Sequence, residues 1–199
     1  MNLANKLTIF RIILVPIMVI IPMLNLKGEY FNVPITYLLI DLIFIIASIT
    51  DKLDGYIARS RNQVTSFGKF LDPIADKILV LSAMIMLVEL ERLPSWIPII
   101  ILFREFAVSG YRLVVASNDG EVVAASRWGK LKTVTQMVAV IFAYLNTGDL
   151  FECFWGSMQG INIAFNFIES VMMIICVFST CFSGWDYLKN GKNLIFKEI

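Results

Sequence analysis

The sequence predicts an all-α integral membrane protein with six transmembrane helices, and three observations support that expectation. Of its 199 residues, 58% are hydrophobic and only 17% charged, too few charges to cover the surface of a soluble domain of this size. The mean hydropathy is +0.75. The apolar residues also fall in long runs, close to the roughly 17–25 residues a helix needs to cross bilayer hydrocarbon.

The first span is expected over residues 7–26. The stretch before it, 2–11, mixes polar and apolar residues, and a short interfacial helix could start there. It lacks the succession of basic start, short apolar run and small-residue cleavage site, so the first run is expected to remain as a membrane helix. The second span is expected over 33–59 and the third over 71–90. The fourth covers 94–117, where Pro94 and Pro98 suit a first helical turn because a missing amide donor costs little there. The fifth, 132–146, is the shortest, and the sixth covers 161–187. The many Phe, Ile and Met residues read as lipid-facing or packing surface, and Trp96, Trp155 and Trp185 as interface residues. No repeat or low-complexity segment stands out, so residues 1–199 are expected to form one membrane domain.

Six spans put both termini on one side. That side receives Lys6, Arg11, Arg59, Arg61, Lys69, Lys77, Arg112, Arg127, Lys130, Lys132, Lys189, Lys192 and Lys197. The other receives Lys27 and Arg92 beside Glu29, Glu89, Glu91, Asp149 and Glu152. The positive-inside rule then places both termini in the cytoplasm, in what is expected to be a bacterial cytoplasmic membrane.

The chain contains no histidine, which excludes histidine general bases and His-ligated metals. Cys153, Cys176 and Cys181 form no CxxC pair, so neither a disulfide framework nor a zinc site is expected. Any metal must be held mainly by oxygen, which favours Mg²⁺ or Mn²⁺. A net charge of +1 gives no sign of a partner, and no nucleic acid is expected.

The chemistry is concentrated in one stretch: Asp51, Asp54, Gly55, Ala58 and Arg59, then Gly68, Asp72 and Asp76. Asp51 and Asp54 are spaced i,i+3, and Asp72 and Asp76 i,i+4, so each pair projects from one helix face. A short link over 60–69 would let the second and third helices pack antiparallel and bring four carboxylates together at their cytoplasmic ends. Taken alone, Asp72 before Pro73 also reads as a helix N-cap. Four carboxylates in one place repel one another. Divalent cations relieve that repulsion, and a bridged pair of them is the usual device for stabilising in-line phosphoryl displacement. Gly55, Ala58 and Gly68 would let a nucleotide or a backbone approach closely, and Arg59 offers a fork to a phosphate.

This pattern resembles the signature of the CDP-alcohol phosphotransferase family, DxxDGxxAR followed after eight residues by GxxxDxxxD. Every fixed position is matched. The resemblance implies that Asp51, Asp54 and Asp72 bind two metal ions and that Asp76 serves as ligand and general base. It implies that Asp54, Gly55, Ala58, Arg59 and Gly68 hold the CDP moiety. It also implies a six-helix fold, commonly a homodimer, with its active site facing the cytoplasm.

Three further stretches resemble the branch of the family whose acceptor is glycerol 3-phosphate. They run from Asn5 to Arg11, from Arg104 to Arg112, and from Gly129 to Gln136. The branch's usual start has a proline between two asparagines, whereas this chain reads Asn2-Leu3-Ala4-Asn5. Glycerol 3-phosphate is a dianion and needs fixed cations. Arg112, Lys130 and Lys132 are expected level with the aspartates, and Arg104 deeper. An intramembrane arginine usually has a partner, and Asp41 or Glu169 is the alternative, purely structural pairing for Arg104. Lys130 and Lys132 could instead control topology or meet lipid headgroups.

The expected reaction places CDP-diacylglycerol with its acyl chains among the membrane lipid and its pyrophosphate across two ions. Asp76 takes the proton of the glycerol 3-phosphate hydroxyl, the resulting oxygen attacks the lipid-side phosphorus, and CMP leaves. The products would be phosphatidylglycerophosphate and CMP, a step of phospholipid biosynthesis. Rival readings are the same chemistry with another acceptor such as inositol phosphate, an ion-coupled membrane transporter, or a non-catalytic scaffold. No inverted repeat or broken helix pair supports a transporter, and the intact aspartate set opposes a scaffold.

Overall fold

The computed structural model describes residues 2–60, 66–117, 127–146, 148–154, 156 and 160–195. Within these, the side chains of 3–4, 52–60, 66–67, 69–70, 112–117, 127, 187–188 and 190–195 lie outside the description. The chain is all-helical apart from one two-residue hairpin. The helices are α1 (Leu3–Ile20), α2 (Ile35–Ser60), α3 (Ser66–Glu89), α4 (Trp96–Ser117), α5 (Arg127–Leu145) and α6 (Ile161–Ile195).

The expected interfacial helix is instead the opening turns of α1, which runs unbroken past Arg11. A 3₁₀ turn, Ile21–Leu24, continues α1 to Asn25, whose left-handed backbone (φ 45°) ends it. The expected start of the second span belongs to a hairpin, β1 (Glu29–Tyr30) paired antiparallel with β2 (Val33–Pro34). Phe31 and Asn32 both take positive φ in the two-residue loop, the hand that matches strand twist.

Three helices begin or end away from their expected limits because polar residues extend them. α3 starts at Ser66, five residues before the expected 71, so Asp72 sits inside the helix and is no N-cap. α5 takes in Arg127 to Leu131 before the expected 132, and α6 carries on beyond 187 to Ile195. α4 starts at Trp96, two residues late, because the turn after α3 uses Glu91 in the left-handed region and returns the Arg92 amide to the Leu87 carbonyl at 2.9 Å.

α2 and α3 contact each other, and α1 packs more extensively against both and bridges them. α5 lies against α6 and α2, and α4 against α6. Met18, Phe44, Leu79, Leu87, Ile101 and Met173 are fully buried in an apolar core, and polar side chains including Arg11, Asn146 and Glu169 are buried among the helices with them.

Large apolar side chains also cover the outside, including Ile85, Ile99, Phe103, Phe106 and Phe178. Among the described residues, two stretches, Asn5–Leu24 and Ile161–Asp186, are long and apolar enough to cross a membrane. Charge dilutes the other helices: α2, α3 and α4 hold Asp51, Asp72, Asp76, Arg104 and Glu105, and α5 opens on Lys130 and Lys132.

Candidate active site

Asp51 lies near the C-terminal end of α2, and Asp72 and Asp76 lie one turn apart near the start of α3. The residues that tie them together come from α1. Arg11 is fully buried, and its Nη1 forms an ion pair with Asp51 Oδ1 at 2.8 Å. Thr8, three residues earlier on the same face, donates its hydroxyl to Asp72 Oδ1 at 2.7 Å. One helix thus holds an acid from α2 and an acid from α3.

Asp76 differs from its neighbours. Its Oδ1 is buried and has no hydrogen-bond partner among the described residues. The carboxylate lies within electrostatic reach of Asp51, Lys132, Arg11 and Glu105. A buried oxygen with an open lone pair is costly to maintain for packing alone, and it suits a group that must accept a proton or a cation.

Beside the acids lies a second charge cluster, centred on Glu105 of α4. Its Oε1 accepts from Lys132 Nζ of α5 at 2.8 Å and from Arg104 Nη1 at 2.9 Å. Its Oε2 lies 3.9 Å from Lys77 Nζ of α3. Lys77 also donates to the Ser109 hydroxyl, and Arg104 donates to the Ser183 hydroxyl of α6. Lys132 is almost fully buried and is shared electrostatically between this cluster and Asp76.

The residues expected from the sequence divide into three groups. Asp51, Asp72, Asp76, Arg104 and Lys132 come together in these two clusters. Gly68 is buried in α3, two residues past its start, and Lys130 is exposed in the first turn of α5. Asp54, Gly55, Ala58 and Arg59 occupy the last turns of α2 and Arg112 the last turns of α4, but their side chains lie outside the described residues. Arg104 pairs with neither Asp41 nor Glu169 among the interactions described. Its partners are Glu105 and Ser183, whereas Glu169 accepts from Asn146 at 2.8 Å. Adjacent helical residues normally face apart, so helical spacing gives no signal for the Arg104–Glu105 pair.

Sequence reasoning did not assign Thr8, Arg11, Lys77 or Glu105 to the site. Thr8, Arg11 and Glu105 stand inside the stretches that carry the family resemblance, and that was the available signal. Lys77 follows Asp76 directly and read only as a topology residue.

The donors at the acidic cluster are all oxygens, the ligand type that hard divalent cations take. The open Asp76 Oδ1 is consistent with such an ion, so these residues fit a Mg²⁺ or Mn²⁺ site. Among the described residues, no three His, Cys, Asp or Glu side chains stand close enough together to form a cation cage, and Asp54 lies outside them.

Comparison with known proteins agrees with this constellation. The sequence model of the family described as CDP-alcohol phosphatidyltransferase matches residues 1–182. A CDP-diacylglycerol–glycerol-3-phosphate 3-phosphatidyltransferase of Bacillus subtilis (strain 168) is 44% identical over 197 residues, covering 96% of this chain and 95% of the relative. Relatives of the same name are 42% identical in Haemophilus influenzae, across 100% of this chain and 97% of the relative, and 39% identical in Rickettsia bellii, across 96% of each. The matched span contains both charge clusters and all four signature aspartates, and the chain therefore belongs to the CDP-alcohol phosphatidyltransferase family.

Proposed function

We propose that this chain transfers the phosphatidyl group of CDP-diacylglycerol to glycerol 3-phosphate, giving phosphatidylglycerophosphate and CMP. The observation that carries the proposal is the juxtaposition of the two clusters. An acidic group with an open, buried carboxylate oxygen adjoins a group of buried cations, and Lys132 lies between them. The names of the relatives give both substrates.

In this reading Asp76 accepts the proton of the acceptor's primary hydroxyl. That oxygen forms a bond to the lipid-side phosphorus as the bond from phosphorus to the bridging pyrophosphate oxygen breaks, and CMP leaves. The residues that would hold two Mg²⁺ or Mn²⁺ ions are Asp51, Asp54, Asp72 and Asp76, and such ions neutralise the pyrophosphate and the charge that grows on its leaving oxygen. Arg59 balances the same charge, while Gly55, Ala58 and Gly68 leave room for the nucleotide. Arg104, Arg112 and Lys132 receive the acceptor's phosphate, with Lys130 at the rim. Arg11 and Thr8 orient Asp51 and Asp72. A direct displacement suffices, since none of the signature's fixed positions is a serine or a cysteine.

The same reading makes residues 1–199 one membrane domain of six spans, with both termini and the site on the cytoplasmic face of a bacterial membrane. The apolar outer surface and the lysine and arginine asymmetry support it. A homodimer is expected from the family resemblance. The test is CMP release by purified protein from CDP-diacylglycerol, offered glycerol 3-phosphate, inositol phosphate, serine and inositol in turn. Turnover greatest with glycerol 3-phosphate supports the proposal; preference for another acceptor, or no CMP release with any, contradicts it.

A further inference from the structure

Among the described residues Glu105 is the one acid at the centre of the cationic cluster, and nothing in the reaction above gives it a role. Its position is unusual. A single carboxylate, on α4, receives cations from α3 (Lys77), α4 (Arg104) and α5 (Lys132), at 3.9, 2.9 and 2.8 Å from its oxygens. Its side chain is 18% exposed and that of Lys132 only 7%, so screening by water is weak. Lysine in particular carries a compact charge on a long, flexible stem. Without an anion among them, three such cations would repel and turn apart towards water.

Glu105 prevents that separation. Among the described residues, three cations surround one carboxylate, an excess of positive charge that suits an acceptor carrying a phosphate better than a neutral alcohol. Lys132 and Glu105 both lie within electrostatic reach of Asp76. An acceptor phosphate bound there would therefore keep its hydroxyl on the side of the reacting carboxylate.

We infer that Glu105 is a positioning residue for the acceptor: it holds Lys77, Arg104 and Lys132 as a preformed pocket for a phosphate monoester, without itself touching the reacting atoms. This rests on the proposed function, because the pocket has meaning only for an acceptor that carries a phosphate. The cost of ordering three long side chains is met in the folded protein rather than at each binding event, which is how preorganisation raises affinity.

The test uses full-length purified protein in lipid vesicles, comparing wild type, Glu105→Gln, Glu105→Asp, Lys132→Gln and the Glu105→Gln/Lys132→Gln double variant. KM is measured separately for glycerol 3-phosphate and for CDP-diacylglycerol. Glu105→Gln should raise KM for glycerol 3-phosphate by about tenfold to a hundredfold, with KM for CDP-diacylglycerol within about twofold of wild type. Glu105→Asp, which keeps the charge one methylene further back, should fall between wild type and Glu105→Gln. It also serves as the reporter should the Gln variant fold poorly. Because Glu105 acts largely through Lys132, the double variant should lose little beyond Lys132→Gln alone. A Glu105→Gln enzyme with unchanged KM for glycerol 3-phosphate, or with both KM values raised together, overturns the inference. A Glu105→Asp enzyme indistinguishable from wild type also overturns it. If wild type itself does not use glycerol 3-phosphate, the proposed function fails first, and that result is distinct from all of these.

Discussion

In the proposed reaction the chemistry converges on Asp76, whose Oδ1 has no hydrogen-bond partner among the described residues, whereas Asp51 and Asp72 are engaged by Arg11 and Thr8. Asp76→Asn is nearly isosteric but cannot accept the acceptor's proton. It should lower kcat at least about a thousandfold, within the range ascribed to general bases, while its thermal unfolding midpoint stays close to that of wild type. Measuring both on one preparation separates loss of chemistry from loss of fold. Arg11 should behave in the opposite way. Arg11→Met deletes a buried cation and leaves Asp51 unpaired there, at a cost of about 1–3 kcal/mol, less than for a fully buried pair because Asp51 keeps 31% of its side chain exposed. Unfolding in detergent should show the loss directly. The acids were legible in the sequence because i,i+3 and i,i+4 spacing on a helix is a local property. Arg11 and Glu105 were not, because their partners come from other helices, and for Arg104 and Glu105 helical geometry argues against adjacent residues meeting.

At the scale of the helices, α1 proves more than a membrane anchor. It packs against both α2 and α3 and carries Thr8 and Arg11 into the site, so the acidic cluster depends on three helices rather than two. The sequence showed α1 only as an apolar run with a polar start; which partner helices that start faces is a tertiary fact with no periodic signature. Helix limits shifted for a related reason. The hydropathy pattern locates the part of a helix that lies in hydrocarbon, whereas α3, α5 and α6 continue into polar sequence where backbone hydrogen bonding still favours helix. Tyr144 on α5 illustrates how such helices are fastened far from the site: its hydroxyl donates to the Ala83 carbonyl of α3 at 2.8 Å in a buried setting. Tyr144→Phe should cost about 1 kcal/mol in unfolding free energy and leave KM for both substrates unchanged. A change in either KM would indicate that the α3–α5 contact sets site geometry.

For the whole molecule, the account requires a bundle with apolar sides and a charged end turned to the cytoplasm. Impermeant thiol labelling checks this in a background lacking Cys153, Cys176 and Cys181. Asp149→Cys should react in intact cells, whereas Lys189→Cys should react only after permeabilisation. Reversed labelling would overturn the orientation. Fold class and family were legible from composition and one signature. The arrangement of the two clusters around Lys132 required coordinates, because it draws on five helices at once. The central claim, that the acids of α2 and α3 work through a shared pair of divalent cations, is tested most directly by CMP release from CDP-diacylglycerol and glycerol 3-phosphate after stringent chelation and again after adding Mg²⁺ or Mn²⁺. Turnover should vanish on chelation and return with the metal, and undiminished turnover in metal-free solution would contradict the claim.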